Sequence, residues 1–558
     1  MLQQKDYIIF NYPSTSSEKK GVNNPLKSTF TLGSYNKRLV HQILRYNGLV
    51  ETDKGNFNLF WGSSPDSNTI SLLSSFQKVN HFPYSKQIVG NKAELASIIQ
   101  SCPLYSELPH FFPRSYILPL DRDELYFEMR ENPKRQYIAK PPDGSLGNGI
   151  KIVDYDDFYT IHQNAVVSEY ISRPLCIDSF KFDLRIYVLV TSFAPLRAFV
   201  YKEGLARFAT KSYSNGETNV YATLTNATLN KHGDNWSSDF KWKLTDLLEE
   251  LKLRFHVEPN VIMNKICHTV QMALAVVQHS IVPSKRYDIS DPFFELFGFD
   301  LILDRDFNMS LLEINTFPSL GFDEIVDYEV KAPLIAQTLS IVGIPNMTFE
   351  ELKEAEDEFR KYYTPKIAQD FEKFFVHYQN KLIKMEDERN LLSGNGFIRI
   401  FPLANEDPNA DLLNSLMILP KYHLKQEDRL KRKKNILFHP KRLAKLLTQH
   451  QSQEILLDYL LNIQRELKNG DLSQRGITRL HAFLSAQGYS IDSATKSKIL
   501  HYLKSFLAEL KDNLNSSNEN NIPEKTKEIV LNSGDIFLSN LLIHSNLGDI
   551  QEINTLFL

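Results

Sequence analysis

The sequence predicts an α+β fold, in which a body of mixed strands and helices is followed by a mostly helical C-terminal region. Between about residues 36 and 360, short β-rich runs alternate with helical patterns and are punctuated by proline and glycine. After about residue 345 the pattern changes to charged, amphipathic helices with few strand signals. The third observation is a pronounced hairpin pattern over Phe293–Asp304 and Met309–Asn315.

Length and composition are those of an ordinary globular protein. The 558 residues are 42% hydrophobic and 23% charged, enough for several domains or subdomains. A net charge of −3 gives no global reason to expect a nucleic-acid or membrane partner. The three cysteines lie far apart, the N-terminal apolar run is too short for a signal peptide, and no run is long enough to span a bilayer. We therefore expect a cytoplasmic protein, and a monomer.

Shifts in composition divide the chain into five predicted segments. They are a polar N-terminal segment (1–35), the α+β core (36–345), a helical extension with a basic stretch at 421–445 (346–512), a polar linker (513–524) and a helical tail (525–558).

The first candidate ligand-binding element is a lysine followed by a glycine-rich loop. Lys140 ends a predicted strand that leads into the loop Asp143–Ile150. Successive backbone N–H groups in such a loop can bind phosphate. The lysine precedes the loop, which favours a hairpin flap over a nucleotide rather than a Walker A motif. A glycine-rich turn without a ligand is the alternative.

Three further segments carry polar residues in strand-like patterns. Val166–Ile171 is an apolar strand with an acid near its end, and such a linker can offer backbone groups to adenine. Phe180–Val190 alternates Lys, Asp and Arg with apolar residues, so that the charges share one face. Arg207 heads a similar pattern, and a polar turn follows at Leu224–Lys231. The alternative is that these charges form only the solvated face of a sheet.

The hairpin brings three oxygen donors together. A symmetric closure around the turn Arg305–Asn308 pairs Asp304 with Met309, Ile302 with Leu311, and Asp300 with Glu313. Asn315 shares a face with Glu313, because strand side chains alternate. Oxygen ligands of this kind suit Mg²⁺ carried by a nucleotide. A solvated hairpin edge is the alternative.

Taken in order, these motifs resemble the tubulin tyrosine ligase-like enzymes, which have an ATP-grasp fold. The resemblance covers about residues 36–345 and implies a core with N-terminal, central and C-terminal subdomains. Further matches are Asn58–Gly62, Phe76–Pro83 and Asn315–Leu320. Within the family, the motifs at Glu203–Thr210, Thr225–Lys231 and Gly396–Pro402 are most similar to the tubulin polyglutamylases.

The resemblance implies a role for each candidate residue. Arg185 and Arg207 would be catalytic, close to the γ-phosphate of ATP. Mg²⁺ would be held by Asp300, Glu313 and Asn315. ATP would contact Lys140, Leu146, Gly147, Ser168, Glu169, Tyr170, Ile171, Lys181, Phe182, Asp183, Thr225 and Asn226. The incoming glutamate would contact Arg207, Ala227, Lys241 and Lys331.

Two positions depart from the family pattern. Leu146 stands where the glycine loop usually carries Arg or Gln, and Ala227 stands where an aromatic residue usually follows Thr-Asn. Both bear on the choice of amino acid, and neither removes a metal ligand.

The implied reaction is ATP-driven amide formation. A glutamate side chain of the protein substrate would form an acyl phosphate, which the amine of free L-glutamate would then attack. The basic stretch at 421–445 would bind the acidic tails of tubulin in microtubules, although a solvated basic helix or a nuclear import signal is the alternative there. The expected location is the cytoskeleton, with the cilium or basal body as further candidates.

Other activities stay open on the sequence alone. A glycylase or a tyrosine ligase is the alternative within the same class. A non-catalytic microtubule-binding protein on an inactive ATP-grasp core is the alternative from another class.

Overall fold

The computed structural model describes residues 3–418, apart from 16–25, 34–36, 53–55, 63–69, 71–72, 75, 106–107, 109, 144–148, 215, 217, 226–239, 282–291, 370 and 405–406. All described residues lie in the first of the two units into which the chain divides, Met1–His423. Several predicted features therefore fall outside the described residues: Leu146, Gly147, Asn226, Ala227, the basic stretch 421–445, the linker 513–524 and the tail 525–558.

Fifteen strands are found in the described part of the chain. They are β1 (Thr29–Leu32), β2 (Val50–Glu51), β3 (Leu59–Trp61), β4 (Lys78–Asn80), β5 (Ser115–Ile117), β6 (Tyr137–Lys140), β7 (Lys151–Val153), β8 (Val166–Glu169), β9 (Cys176–Ile177), β10 (Phe180–Phe193), β11 (Leu196–Phe208), β12 (Lys241–Lys243), β13 (Phe293–Leu303), β14 (Met309–Asn315) and β15 (Phe397–Phe401).

The described helices surround these strands. They are α1 (Lys37–Tyr46), α2 (Ser85–Ile88), α3 (Lys92–Gln100), α4 (Arg122–Glu131), α5 (Val220–Thr223), α6 (Leu244–Phe255), α7 (Pro259–Ile281), α8 (Ile325–Val342), α9 (Phe349–Gln369), α10 (Phe371–Leu392) and α11 (Ala410–Ile418), together with 3₁₀ turns at Gln4–Asp6 and Phe158–Thr160.

A large sheet forms the centre of the unit. Its main path runs β12-β11-β10-β13-β4-β3-β1-β2, while β14 pairs with β13, β15 with β11 and β9 with β10. The long strand β10 is antiparallel to both β11 and β13. All residues of β13 are buried, as expected for an apolar strand near the middle of a covered sheet. The mixed sheet and its helices confirm the α+β prediction at this level.

Side chains of the central strands alternate between two cores, one on each face of the sheet. Phe182, Leu184 and Ile186 of β10 pack in a core that includes α6 and α7. Tyr187 and Leu189 pack in the other core, with α1 and α8. Because the period of a strand is two, Asp183 and Arg185 lie on the same face as Tyr187. Asp183 and Arg185 therefore lie on the same face of the sheet that α8 covers further along β10.

A second, smaller sheet has its own core. Its strands run β5-β8-β6-β7 and are antiparallel. Leu125 and Met129 of α4 pack against Tyr116 and Tyr137 of this sheet. Lys140 is the last residue of β6, so the small sheet delivers this lysine at a strand end.

Both ends of the described chain contribute strands to the large sheet. Phe30 of β1 is buried in one of the two main cores, although it lies in the polar segment 1–35. Strand β15 pairs with β11 and follows the helices α9 and α10. The helical pattern of the sequence did not predict β15. No helix within the described residues has both the length and the apolar character to cross a membrane.

Candidate active site

Charged side chains on four neighbouring strands meet on one face of the large sheet. Across the strands, Arg207 lies opposite Asp183 on one side and opposite Lys241 on the other. One pair further along, Arg185 lies opposite Asp300. Cross-strand neighbours on one face are close enough to interact directly. The register therefore assembles a row of closely spaced positive and negative charges.

In the hairpin of β13 and β14, the predicted pair of acids is confirmed and the other two predicted pairs are wrong. Asp300 faces Glu313, as predicted. Leu311, however, faces Leu301 rather than Ile302, and Met309 faces Leu303 rather than Asp304. The register shifts between Asp300 and Leu301, so that β14 carries an extra residue there.

Asp304 explains why the hairpin does not close symmetrically. Its Oδ1 accepts the backbone N–H groups of Asp306 and Asn308, at 2.9 and 2.8 Å. A side chain that binds its own turn in this way shapes the loop instead of pairing across the strands.

Asp300 is held by both arginines. Arg185 donates to it through Nε (2.6 Å) and Nη2 (3.0 Å), and Arg207 Nη2 lies 2.9 Å from Asp300 Oδ2. Burial opposes ionisation of this carboxyl, but the two guanidinium groups outweigh it and hold the pKa of Asp300 well below its usual range. The carboxylate is therefore charged although only 5% of its side chain is exposed.

Asp183 is bound in a similar way. Arg207 donates to its two oxygens through Nε and Nη2, both at 2.7 Å, and Thr225 Oγ1 donates at 2.5 Å. Arg207 thus bridges Asp183 and Asp300. The sequence predicted that these arginines face phosphates, but here their first partners are the acids of the site.

Glu313 and Asn315 complete the cluster of oxygen donors. Asn315 Nδ2 lies 3.1 Å from Glu313 Oε1 and 3.4 Å from Asp300 Oδ2, so its amide group touches both acids. Lys92 Nζ lies 3.2 Å from Glu313 Oε2. The structure thereby brings the three predicted metal ligands together and places Lys92 beside them.

The chemistry of these donors fits Mg²⁺ better than a transition metal. Among the described residues, no three His, Cys, Asp or Glu side chains are grouped so as to hold a metal ion. Two carboxylates and an amide are a typical partial ligand set for Mg²⁺, which takes its remaining ligands from water and nucleotide phosphates. Asn315 would have to turn its amide, because its nitrogen is the atom directed at the acids.

Lys140 reaches the same place from the small sheet. Its burial lowers the pKa of the ammonium group, whereas nearby Glu313, Asp300 and Asp183 act in the opposite direction. These three acids belong to the large sheet. The end of β6 is therefore close to these acids, and the candidate site lies between the two sheets.

Lys181 and Tyr170, two of the predicted nucleotide contacts, form a buried pair. Lys181 Nζ donates to Tyr170 Oη (3.0 Å) and to the carbonyl of Thr223 (2.7 Å), and it lies 4.5 Å from the centre of the Tyr170 ring. Burial lowers the pKa of Lys181 to about 7. Only 5% of Lys181 is exposed, so the residue is enclosed by its partners.

The linker after β8 is less open to adenine than its sequence suggested. The N–H groups of Glu169 and Tyr170 donate to the carbonyls of Arg114 and Gln136. The Glu169 carboxylate pairs with Arg135 at 3.1 Å. Both N–H groups are therefore used inside the protein, and contact of this linker with adenine, which stays a prediction, would use its other backbone groups. Ile171, the next residue, is half-buried.

The side chains of two other predicted contacts have partners within the protein. The side chain of Phe182 packs in the core on the opposite face, 5.4 Å from the Phe208 ring. The Ser168 hydroxyl lies 2.8 Å from that of Ser115 in the small sheet. Any contact of Phe182 with a nucleotide would have to use its backbone.

At the other end of the row, the two predicted substrate lysines form a buried cluster with two acids. Lys241 Nζ lies 2.9 Å from Asp327 and 3.1 Å from Glu324. Lys331 Nζ lies 2.8 Å from the second oxygen of Asp327 and donates to the carbonyl of Gly321. The sequence did not single out these acids. The spacing of Asp327 and Lys331, four residues apart on one helix, is a signal that could have found Asp327, but it does not point to Glu324.

A buried cluster around His81 and Glu295 packs against the segment that follows Asn315. His81 Nδ1 and Ser85 Oγ each lie 3.0 Å from Glu295 Oε1, and the Phe82 N–H donates to Glu295 Oε2. The His81 ring lies 4.1 Å from that of Phe317. All of Glu295 is buried, so its hydrogen bonds serve packing rather than ligand binding.

Comparison with known proteins finds similar sequences over the same part of the chain. The sequence model of the tubulin-tyrosine ligase family matches residues 70–350. Tubulin polyglutamylase TTLL6 of Mus musculus is 34% identical over 333 residues, which cover 57% of this chain and 40% of that protein. Tubulin polyglutamylase TTLL5 of Mus musculus is 34% identical over 330 residues, covering 55% of this chain and 24% of the relative. Tubulin polyglutamylase TTLL13 of Homo sapiens is 35% identical over 303 residues, covering 52% and 37%. The match spans less than half the length of each relative.

Proposed function

Because this chain belongs to the tubulin-tyrosine ligase family, we propose that it is an ATP- and Mg²⁺-dependent ligase that adds glutamate to glutamate side chains in tubulin tails. The observation that carries the proposal is the meeting of Asp300, Glu313 and Asn315 with Arg185 and Arg207 on one face of the sheet. A row of this kind can bind a metal–nucleotide and stabilise charge on a transferring phosphoryl group.

ATP would lie between the two sheets. Lys140 and the glycine loop would approach its phosphates, while Lys181, Tyr170 and Asp183 would hold the nucleoside. The buried Lys181 and its bonds to Tyr170 and Thr223 support a preformed site, because such side chains lose little freedom on binding.

Mg²⁺ would be held by Asp300, Glu313 and Asn315, whose donor chemistry fits it. When bound, it would neutralise charge on the phosphates of ATP. The remaining work belongs to side chains of the chain itself, above all to the two arginines.

In the first step, a glutamate carboxylate of the protein substrate attacks the γ-phosphorus of ATP, and ADP leaves. Arg185 and Arg207 would stabilise the charge on the transferring group, and the product is an acyl phosphate. In the second step, the amine of free glutamate attacks the acyl carbon and phosphate leaves. Neither step needs a nucleophilic side chain of the enzyme.

Glutamate is the amino acid that the charges favour. Lys241 lies opposite Arg207 across the strands. Lys241 and Lys331 both contact the carboxylate of Asp327. Two lysines and an arginine can serve two carboxylates, whereas glycine and tyrosine each carry one. The names of the similar proteins, tubulin polyglutamylases, support the same choice.

The protein substrate would be the acidic tubulin tail, and the basic stretch at 421–445 would bring the enzyme to microtubules. We accordingly propose a cytoskeletal location, with the cilium or basal body included, and catalysis by a monomer.

Incubating the purified protein with microtubules, ATP, Mg²⁺ and radiolabelled glutamate, glycine or tyrosine in turn tests the proposal. We expect label from glutamate in tubulin, and only when ATP is present. Incorporation of glycine or tyrosine instead would reassign the amino acid. Incorporation of none, with microtubule binding intact, would favour the non-catalytic alternative.

A further inference from the structure

The cluster of two lysines and two acids lies directly beside the arginines. Lys241 on β12 is the cross-strand neighbour of Arg207, whose guanidinium lies 2.9 Å from Asp300. Asp327 and Glu324, at the start of α8, are the acidic partners of Lys241. Both acids therefore contact a direct neighbour of the proposed reaction centre.

The two acids are not equivalent. Asp327 is bound at both oxygens, by Lys241 at 2.9 Å and Lys331 at 2.8 Å, and its side chain is 5% exposed. Although burial acts the other way, these lysines lower its pKa. Glu324 contacts Lys241 through Oε2 at 3.1 Å, and 15% of its side chain is exposed. Glu324 is thus the more exposed of the two side chains, while its carboxylate oxygens themselves are buried.

An amino-acid substrate carries a positively charged α-ammonium group, which the lysines cannot bind. Its α-amino group is protonated at neutral pH, and an ammonium group has no lone pair with which to attack a carbonyl carbon. The site must therefore hold a cation and accept a proton from it. The adjacent pair Lys241 and Glu324 presents one positive and one negative group, which complement the carboxylate and the ammonium of an α-amino acid.

We propose that Glu324 binds the ammonium group of the incoming amino acid and accepts the proton that it loses. This inference rests on the proposed function. In the step concerned, the nitrogen lone pair forms the C–N bond to the acyl carbon. The bond from that carbon to the phosphate oxygen breaks, and phosphate leaves with the electron pair. The nitrogen loses two protons on becoming an amide N–H: the first passes to a carboxylate oxygen of Glu324 before the attack, and the second leaves with the phosphate. Of the charged groups around Glu324, Lys241 contacts it, Asp323 precedes it in sequence, and Asp327 and Lys331 complete the cluster.

Hydroxylamine distinguishes a loss of proton transfer to Glu324 from a loss of the earlier steps, which are ATP binding and acyl-phosphate formation. Its nitrogen is already neutral at pH 7, so it needs no proton acceptor before it attacks the acyl phosphate. The full-length protein, ATP, Mg²⁺ and microtubules are combined with either glutamate or hydroxylamine, and modified tails are measured by mass spectrometry. We expect Glu324→Gln to slow glutamate ligation by about 10²-fold or more. Hydroxamate formation, which reports the acyl phosphate, should be unchanged.

Glu329→Gln is the matched control, since it makes the same change on the same helix in an exposed pair with Lys243. It should leave both products unchanged. Equal loss of both products in Glu324→Gln, or undiminished glutamate ligation, would overturn the assignment. If the unaltered protein forms neither product, the proposed function itself fails, so the two failures are distinguishable.

Discussion

Asp300 shows how a single carboxylate in this site is kept ionised without water. It lies on a wholly buried strand, where an unpaired charge would be costly. The bidentate contact of Arg185 and the contact of Arg207 replace its hydration, and they lower its pKa. The same arginines are therefore structural partners of the acids and the proposed stabilisers of phosphate charge.

Replacing Asp300 tests both roles together. In Asp300→Asn, two buried guanidinium groups lose a shared negative partner, so we expect the free energy of unfolding to fall by about 3 kcal/mol. Glutamate incorporation should fall at least about 10²-fold. Urea denaturation and the labelling assay measure these effects. Asp306→Asn, the same change at a 65% exposed position of the same hairpin, is the control. A more stable Asp300→Asn protein would contradict the argument.

Lys181 predicts a dependence of stability on pH. Burial lowers its pKa to about 7 from an ordinary value of 10.5, so the unfolded chain binds the proton more tightly than the folded one. Between these values the unfolded state carries more protons, and stability rises with pH. The energetic penalty is fully present below pH 7 and disappears towards pH 10.5.

Comparison with Lys181→Met isolates this effect from other titrations. The stability of the unaltered protein relative to the variant should increase from pH 7 to pH 9, by at most about 1.4 kcal/mol per pH unit. Denaturant unfolding at each pH provides the measurement. A difference that stays constant over this range would show that Lys181 titrates normally.

The hairpin β13–β14 and its neighbour β10 form the element that positions the site. Gly298 lies where the two come closest, because a Cβ there would meet Pro318 Cβ at 2.9 Å and Arg185 Cδ at 3.1 Å. Glycine at this position thus lets Arg185 lie flat across β13 and reach Asp300. The Asn315–Pro318 segment packs on the other side of the same gap.

A methyl group at Gly298 should disturb both neighbours. We expect Gly298→Ala to lower the free energy of unfolding by roughly 1–3 kcal/mol through overpacking, and to reduce ligation by displacing Arg185. At Gly321 the nearest such atom is Ser319 Oγ at 3.6 Å, so Gly321→Ala should hardly change stability. Thermal unfolding of the two variants makes the comparison, and equal stability would refute the close approach.

The same element shows what a sequence pattern can and cannot predict. Strand periodicity was sufficient to place Asn315 on the same face as Glu313, because that information is local. Asp300 pairs with Glu313 as predicted because the extra residue in β14 offsets a turn one residue longer than expected. The shift in register after Asp300 was not predictable, since Leu311 and Leu312 carry no mark that distinguishes a bulge. The acids Asp327 and Glu324 were missed for another reason. They meet Lys241 only when α8 folds onto β12, and the pattern of either segment alone is silent about that contact.

At the scale of the whole molecule, the net charge is small, but charged side chains are concentrated at the candidate site. The chain has a net charge of −3, yet the active-site row brings positive and negative side chains together on neighbouring strands. The row therefore suits a ligand that carries both a metal and phosphates. It gives little long-range attraction for an acidic protein, so recruitment of such a partner has to come from elsewhere in the chain.

The stretch 421–445 is the candidate for this recruitment, with ten Lys and Arg residues against Glu427 and Asp428. We expect that changing Lys431, Arg432, Lys433 and Lys434 to glutamine weakens co-sedimentation with microtubules at low salt, because attraction to acidic tails is lost, and leaves ATP binding intact. The effect should shrink as salt is raised, since ions screen exposed charges. The control removes the same charge from α9 and α10, by changing Lys353, Lys361, Lys373 and Lys381 to glutamine. Unchanged co-sedimentation of the first variant at low salt would show that this stretch does not bind microtubules.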